Sequence, residues 1–570
     1  MKSKYIFIVI FSTVVFSWSC SESFLEKTPQ GQLSTDQISN GEGVEAMLIG
    51  TYSIMNGNIS GTWGNYSSGP NQWVFGELPA DNAHKGSDID DQTDMNLIEK
   101  LTPNPDNAML DPMWRVYYEG VLRANSTLRL LKGDQEGGQD ISTQRAVEIE
   151  AEARMLRAHY YFFLWRVFRN LPYIDENTTL DEAKVMPNKE DIYDKIIDDM
   201  KFAVDNLPET KYLNEAGRFN KKAAKAYLGK AYLYQNKHEL ALPLFNEVIS
   251  GSDLEAMPFE NNFNIDTEDG PETLVVAKHE INPNGSGDNA NVGDMLSGLY
   301  GTAPVSCCGF YQPSIDLVNA YKVDADGLPY LDNEYRHNPY VSDMGLSSSE
   351  KANYSIDNTL KFDPRLDYTV GRRGVSYLDY GIMPGNSWIR DANFSGPFVG
   401  IKTMINQSQF PGNTVSGEPY ITGLDVNIIR LADVILMTAE CEIEVGSLIN
   451  ALKHVNTVRA RANKLPRKKV EGVDVADYKV SPYPSFPTKE YARKAVRMER
   501  RLELALEGHR FFDLVRWGIA KEVIESYSAF EGQYLDFYQG IVYRPQNDYF
   551  PIPKTQIDRS SNTLDQNEGY

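Results

Sequence analysis

The sequence predicts a mainly α protein in which tetratricopeptide-like helix pairs form a scaffold and an irregular, loop-rich lobe packs on it. Apolar residues recur at three- and four-residue spacing over long stretches in both halves of the chain. One stretch, AAKAYLGKAYLYQNKHELALPLFNEVI, carries small and large residues at the offsets of a tetratricopeptide unit. Between the helical blocks the texture turns to Gly, Asn, Pro, Asp and Tyr.

In chain order, a leader comes first. Lys2 and Lys4 precede an apolar run from Tyr5 to Phe16. That run is too short for a bilayer core of ~30 Å and suits a secretory h-region. Ser17 and Ser19 lead into Cys20, as in a bacterial lipobox, although Ser17 stands where such sites usually carry Leu. Residues 1–19 therefore read as a lipoprotein signal peptide, with Cys20 the lipidation site carrying palmitate or similar chains; plain cleavage near Ser19 is the alternative. More than one acyl chain gives stable anchoring, because each buried CH₂ contributes ~0.8 kcal/mol.

Residues 20–250 form the first region of the mature chain. Glu42 to Met55 and Asp111 to Leu131 read as one helical pair, and Thr143 to Phe168 with Asp191 to Leu207 as another. The repeat unit follows, with Leu228, Gly229, Tyr232, Ala241 and Phe245 at the expected offsets. The small residues let two helices approach while the large ones fill the space around them. A loop insert at 57–105 interrupts the first pair and holds Trp63, Tyr66, Trp73 and Phe75. Residues 251–570 form the second region: loop-rich over 251–423, with strand-like pieces such as TLVVAKHEI, then helical over 424–530, then a carboxy-terminal segment. Ala439 and Ala451 repeat the small-small spacing in a weaker copy of the unit.

Composition excludes several function classes. The formal charge of -23, from 56 basic against 79 acidic residues, argues against nucleic acid, which needs clustered Lys and Arg. Beyond the leader no apolar run approaches ~18 residues, so no transmembrane helix is expected. No GxSxG, HExxH, Walker loop or CxxC occurs. Gly285 to Ala290 imitates a GxGxxG turn but opens no helix. With 7 His, none at ligand spacing, no catalytic residue and no metal centre is assigned. A structural Ca²⁺ in the acidic loop of Asp88, Asp90, Asp91 and Asp94, or at Asp324 and Asp326, competes with the simpler reading of solvated loops. Cys441 reads as a core thiol, whereas the adjacent Cys307 and Cys308 are left open between free thiols and a ring disulfide with a rigid, sulfur-faced surface.

Several segments together resemble the SusD/RagB family of outer-membrane nutrient-uptake lipoproteins. They are CSESFLEKTPQGQLS at the mature start, PSIDLVNAY followed by Asp324 to Gly327, RMERRLELALEGHRFFDLVRWG at Arg497 to Gly518, YFPIPKTQID, and the ending DQNEGY. The resemblance covers essentially the whole mature chain. It implies a SusD-like fold and a lipid-anchored protein on the cell-surface face of the outer membrane, and Glu22 and Glu26 resemble its acidic export signal. It further implies capture of an oligosaccharide or polysaccharide, delivered without catalysis to a SusC/RagA-like TonB-dependent transporter. A RagB-like capture of oligopeptides is the alternative, and a surface hydrolase the weaker one.

In the charged segment, Glu499, Glu503 and Glu507 fall at four-residue spacing among Arg500, Arg501, Arg510 and Arg516. Paired carboxylates suit acid–base work, but helix-locking Arg–carboxylate pairs are the better reading. Ligand contacts are expected instead in two aromatic loops, because sugar CH faces stack on rings and hydroxyls bond to polar side chains. The first offers Trp63, Tyr66, Trp73, Asp81 and Asn82; the second offers Tyr300, Phe310 and Tyr311 beside the cysteine pair. Trp388, in GNSWIRD, ranks behind them.

Overall fold

The computed structural model describes residues 40–59, 65–138 and 140–570. The leader, Cys20, Glu22, Glu26 and Trp63 lie outside the described residues.

The scaffold helices are α1 (Gly41–Tyr52), α2 (Leu110–Glu136), α3 (Thr143–Phe168), α4 (Tyr193–Asn206), α5 (Lys221–Tyr234) and α6 (His238–Ile249). The second half adds α7 (Leu431–Val445), α8 (Leu448–Asn463), α9 (Lys489–Leu504), α10 (Arg510–Arg516) and α11 (Ala520–Glu531). Asn40, Ser142, Asn220 and Thr488 accept a bond from a backbone N–H of the first turn of α1, α3, α5 and α9, satisfying a donor that has no helical partner.

Neighbours in sequence are neighbours in space. α1 packs on α2, α2 on α3, α3 on α4, α4 on α5, and α5 on α6. α6 then meets α7, which packs on α8 and α9, so the repeat-like stack runs through both halves. In the α5–α6 hairpin, a Cβ on Gly229 would lie 2.4 Å from the Phe245 ring. Only the bare glycine lets that ring, fully buried, fill the gap, and burying such a side chain contributes ~1.5–3 kcal/mol. Ala439 and Ala451 are fully buried in α7 and α8, where their spacing is the same.

One apolar core runs from Val44 to Leu564, so the boundary near residue 250 is not a break in packing. Two antiparallel strand pairs stitch distant segments to it. β1 (Ala83–Gly86) pairs with β3 (Phe310–Pro313), and β2 (Thr273–Ala277) pairs with β4 (Val426–Arg430), which leads straight into α7. A smaller apolar cluster, with Leu299, Tyr377, Met383 and Trp388, holds part of the loop-rich lobe together. Among the described residues, no helix is long and apolar enough to cross a membrane.

The charged segment departs from the continuous helix its spacing suggests. α9 stops at Leu504, and the chain turns over Ala505–His509 before α10 begins. Leu506 and Gly508 are both left-handed in that turn, with φ of +62° and +76°, and a Cβ on Gly508 would lie 1.5 Å from the carbonyl oxygen of Asn71. Glu507 thus leaves the helix yet still reaches the ion-pair network.

That network is buried. Glu503 accepts from Arg430 (2.7 Å), Arg365 (3.0 Å) and Arg461. Glu499 pairs with Arg365 (2.7 Å) and Arg459 (2.9 Å). Glu507 pairs with Arg430 and Lys402, while Asp433 of α7 pairs with Arg500 of α9 and Lys230 of α5. Burial alone would raise the Glu503 carboxyl, but Arg461, Arg430 and Arg365 hold it well below the usual carboxylate range. Every carboxylate in the segment faces a guanidinium or ammonium group within the protein, which is the arrangement of a lock.

Candidate functional site

The two aromatic loops, more than two hundred residues apart in sequence, meet through the β1–β3 ladder. Ala83 faces Pro313, His84 faces Gln312 and Gly86 faces Phe310. At the end of the ladder the backbones nearly touch: a Cβ on Gly86, whose φ is +82°, would lie 2.4 Å from the Gly309 carbonyl oxygen. Ser87 N–H donates to that same oxygen at 2.5 Å. The acidic loop after β1 and the cysteine loop before β3 are thereby held side by side.

Arg390 joins them from a third segment. Its guanidinium lies 5.3 Å from the Tyr300 ring and pairs with Asp88 (2.7 Å) and Asp91 (2.5 Å). It also donates to the Ser87 hydroxyl at 2.8 Å. Lys85 steadies the acidic loop from beneath by donating to the carbonyls of Asp88 (2.7 Å) and Asp91 (2.5 Å). Tyr66, half-buried, stands near Asp91 and Gln92; burial first, and then the Asp91 charge, raise its hydroxyl above the usual phenol range. Tyr300 N–H donates to the Trp388 carbonyl, so the Tyr300 loop is tied to the GNSWIRD loop. Cys307 and Cys308 are joined in a disulfide, and both remain partly exposed. Tyr420 comes beside them near Gly298. The result is a ledge with two partly exposed rings, a guanidinium and two carboxylates. Such a set can stack on a flat apolar face and trade hydrogen bonds with hydroxyls.

Tyr66 and Tyr300 therefore lie at the surface, but five of the expected ligand residues do not. Trp73 is fully buried and stacks on Tyr311, 5.1 Å between ring centres, while its indole N–H donates to the Gly293 carbonyl. Phe310 and Tyr311 are buried in β3. Asp81 pairs with Arg510 (2.7 Å) and Arg501 (3.2 Å), and Asn82 accepts from Arg501 (2.9 Å). Burial would raise the Asp81 carboxyl, yet Arg501 and Arg510 hold it below its usual range. The insert at 57–105 does not stay in solvent but folds Trp73–Gly76 into a helical turn and Ala83–Gly86 into a strand, whose pairing with Phe310–Pro313 takes the second loop inward as well. These residues form the floor under the ledge. Trp388 is buried as well, edge-on to Tyr377.

Arg390, which sequence reasoning missed, sits two residues after Trp388, and only the fold shows what it faces. The acidic loop spends Asp88 and Asp91 on it, while the Asp94 carboxylate accepts from the Ala108 N–H. Asp324 closes its own turn by accepting from the N–H groups of Asp326 and Leu328. Among the described residues, no cluster of three or more His, Cys, Asp or Glu is arranged to hold a metal.

Two carboxyls in the floor have raised pKa values. Burial pushes Glu77, which accepts from the Gly508 N–H, up to about 7, and pushes Asp294 up to about 6. The folded protein keeps these protons after the unfolded chain has lost them, so both groups favour folding below their unfolded values near 4.5 and 3.8 and lose that contribution as pH rises through 6 to 7. Urea midpoints should fall between pH 5 and 7.5, and Glu77→Gln should flatten the upper part of that slope. A wild-type slope surviving in Glu77→Gln would assign the pH dependence elsewhere.

A helical, repeat-like scaffold carrying a loop-built ledge of rings and paired charges is the architecture of this chain. Residues 271–570 match the SusD family, and residues 23–233 match a family described as starch-binding associating with outer membrane. The chain belongs to the SusD family. A SusD-like protein of Formosa agariphila is 23% identical over 587 residues, covering 99% of each chain. One from Bacteroides ovatus is 25% identical, covering 91% of this chain and 83% of that one. Among solved structures, a laminarin-binding SusD-like protein superposes with a TM-score of 0.66 at 24% identity, over 93% of this chain and all of the other. Surface glycan-binding protein A of Bacteroides thetaiotaomicron, in complex with laminarihexaose, gives 0.64 at 19% identity, over 93% and 99%. Both of these solved structures are named as glycan-binding proteins.

Proposed function

We propose that the protein captures a glycan on the Tyr300–Tyr66–Arg390 ledge and delivers it, unmodified, to a SusC-like TonB-dependent transporter. Lipid on Cys20 would hold it to the outer face of the outer membrane, in keeping with the family's description as associated with that membrane. The observation that carries the reading is the Tyr300 ring, half-exposed, beside a guanidinium that Asp88 and Asp91 keep in place. A ring offers a sugar its flat face, and the fixed charges offer its hydroxyls partners that need no reordering on binding. Two solved relatives named for laminarin or laminarihexaose support a glycan as the ligand class. The helical stack behind the loops supplies a broad surface of the kind repeat proteins use for partners.

Calorimetric titration of the chain from Ser21 onward against polysaccharides, oligosaccharides and peptide mixtures tests this. Saturable heat with one glycan class, and none with peptides, is the expected result. Heat with peptides alone would move the protein to oligopeptide capture, and turnover of any bound ligand would make it an enzyme.

A further inference from the structure

A second cleft lies where α3, α5 and α10 converge with residues 548–549. Its volume is about 390 Å³, within the range of ligand clefts (roughly 300–1,000 Å³), and Trp165, Tyr234, Phe512 and Tyr549 contribute to its walls. None of the ledge residues lines it.

The cleft contains a buried cation with no carboxylate partner among the described residues. Arg166, in the last turn of α3, is 7% exposed and reaches into the cleft. Its guanidinium lies against Phe512 (4.4 Å), Phe163 (4.5 Å) and Phe162 (4.9 Å). Its Nε is buried without a hydrogen-bond partner, the Tyr234 hydroxyl in the cleft wall shares a hydrogen bond with the guanidinium, and among the described residues no carboxylate comes within ion-pair distance of it. The other two arginines of the cleft are already occupied. Arg516 is held by Glu440 (2.5 Å) and Asp513 (2.9 Å), and Arg169 faces Asp191 at 3.4 Å. Asp548, on the rim, accepts instead from the Tyr543 hydroxyl at 2.6 Å.

A buried charge without a counterion is costly, and the network around α9 shows how consistently this protein supplies one elsewhere. The carbonyl end of α3 provides Arg166 with partial negative charge but no ion. Flat aromatic faces stabilise a guanidinium in its plane and leave its forked donors directed outward. We propose that this cleft binds a small oxyanion, a carboxylate or sulfate carried on a ring, with Arg166 as its bidentate partner and the aromatic walls covering the ring. An acidic sugar, such as a uronate or a sulfated residue, has that chemistry. The proposal does not depend on the glycan reading of the ledge.

The test is to titrate the same protein with sodium glucuronate, sodium sulfate and glucose at ionic strength held constant with sodium chloride. The Trp165 indole resonance and the thermal midpoint are followed. Glucuronate, sulfate or both should shift the indole and raise the midpoint, while glucose and chloride should not, and the tighter of the two anions identifies the group recognised. Arg166→Met should weaken that binding about tenfold or more, the equivalent of one lost charge-assisted contact. Should Arg166→Met fail to fold, Arg166→Lys keeps the charge but not the fork and should bind more weakly than wild type. An anion response no larger than that to chloride, or one of full strength in the folded variant, overturns the proposal.

Discussion

Glu503→Gln should lower the stability of the folded protein by about 3–5 kcal/mol, the cost of leaving buried charges without their partner. Glu503 is fully buried and faces three guanidiniums, from Arg365, Arg430 and Arg461, each donated by a different segment. Glutamine keeps the shape and removes the charge, so a loss measured by urea unfolding reports electrostatics rather than a cavity. The same carboxylate makes the protein acid-sensitive. A folded-state pKa held below the unfolded value gives stability that is present above about pH 4.5 and lost as pH falls further. The wild type should therefore lose stability on acidification below that point more steeply than the variant. An exposed pair such as Lys184–Asp181 serves as the control, since solvent screens it and its removal should leave the midpoint unchanged. A Glu503→Gln loss below about 1 kcal/mol would mean that the buried network positions the helices without holding them.

Tyr300→Ala should weaken glycan binding by roughly tenfold to a hundredfold while leaving the unfolding midpoint close to wild type. The estimate follows from ~1.5–3 kcal/mol for an aromatic side chain covered by ligand. Tyr300 is the residue to change because its ring is half-exposed and its loop is tied down by main-chain bonds to Ser387 and Trp388 that the substitution leaves intact. Trp73 is unsuitable for the same experiment: its removal would open the core, and lost binding would then report unfolding. Arg390→Met provides a second reading, since it releases Asp88 and Asp91 and should lower affinity without touching the ring. Unchanged affinity in Tyr300→Ala would remove the ledge as the ligand site.

The helices could be read from the sequence because their signal is local. α3 runs from Thr143 to Phe168, the limits its apolar spacing suggests, and Gly229 with Phe245 reveals the hairpin through spacing alone. Burial in the loops is a long-range property and has no such signal. Trp73 and Tyr300 stand in similar Gly- and Asn-rich surroundings, yet β1–β3 pairing sends one inside and leaves the other at the surface. Arg390 gave no cue, because an arginine in a loop is ordinary until Tyr300 and Asp88 are placed beside it. The break after Leu504 has no such cue either: Glu507 continues the four-residue spacing of α9, yet the backbone leaves the helix at Ala505 and turns left-handed at Leu506.

The floor of the ledge depends on residues from opposite ends of the polypeptide. Asp81 is clamped by Arg501 and Arg510, the second of them 429 positions away, and the Phe550 N–H donates to the Val167 carbonyl. While the chain emerges amino end first, its early aromatic loop can pair with β3 only once residue 313 is out, and Asp81 stays unclamped until the last tenth or so of the polypeptide arrives. Closing loops of that length is slow, and the waiting segment exposes Trp73 and Phe75. Assembly of the ledge is therefore a late event. A product cut short before α10 would keep most of its helices and Arg501 but lose Arg510, the other half of the clamp on Asp81.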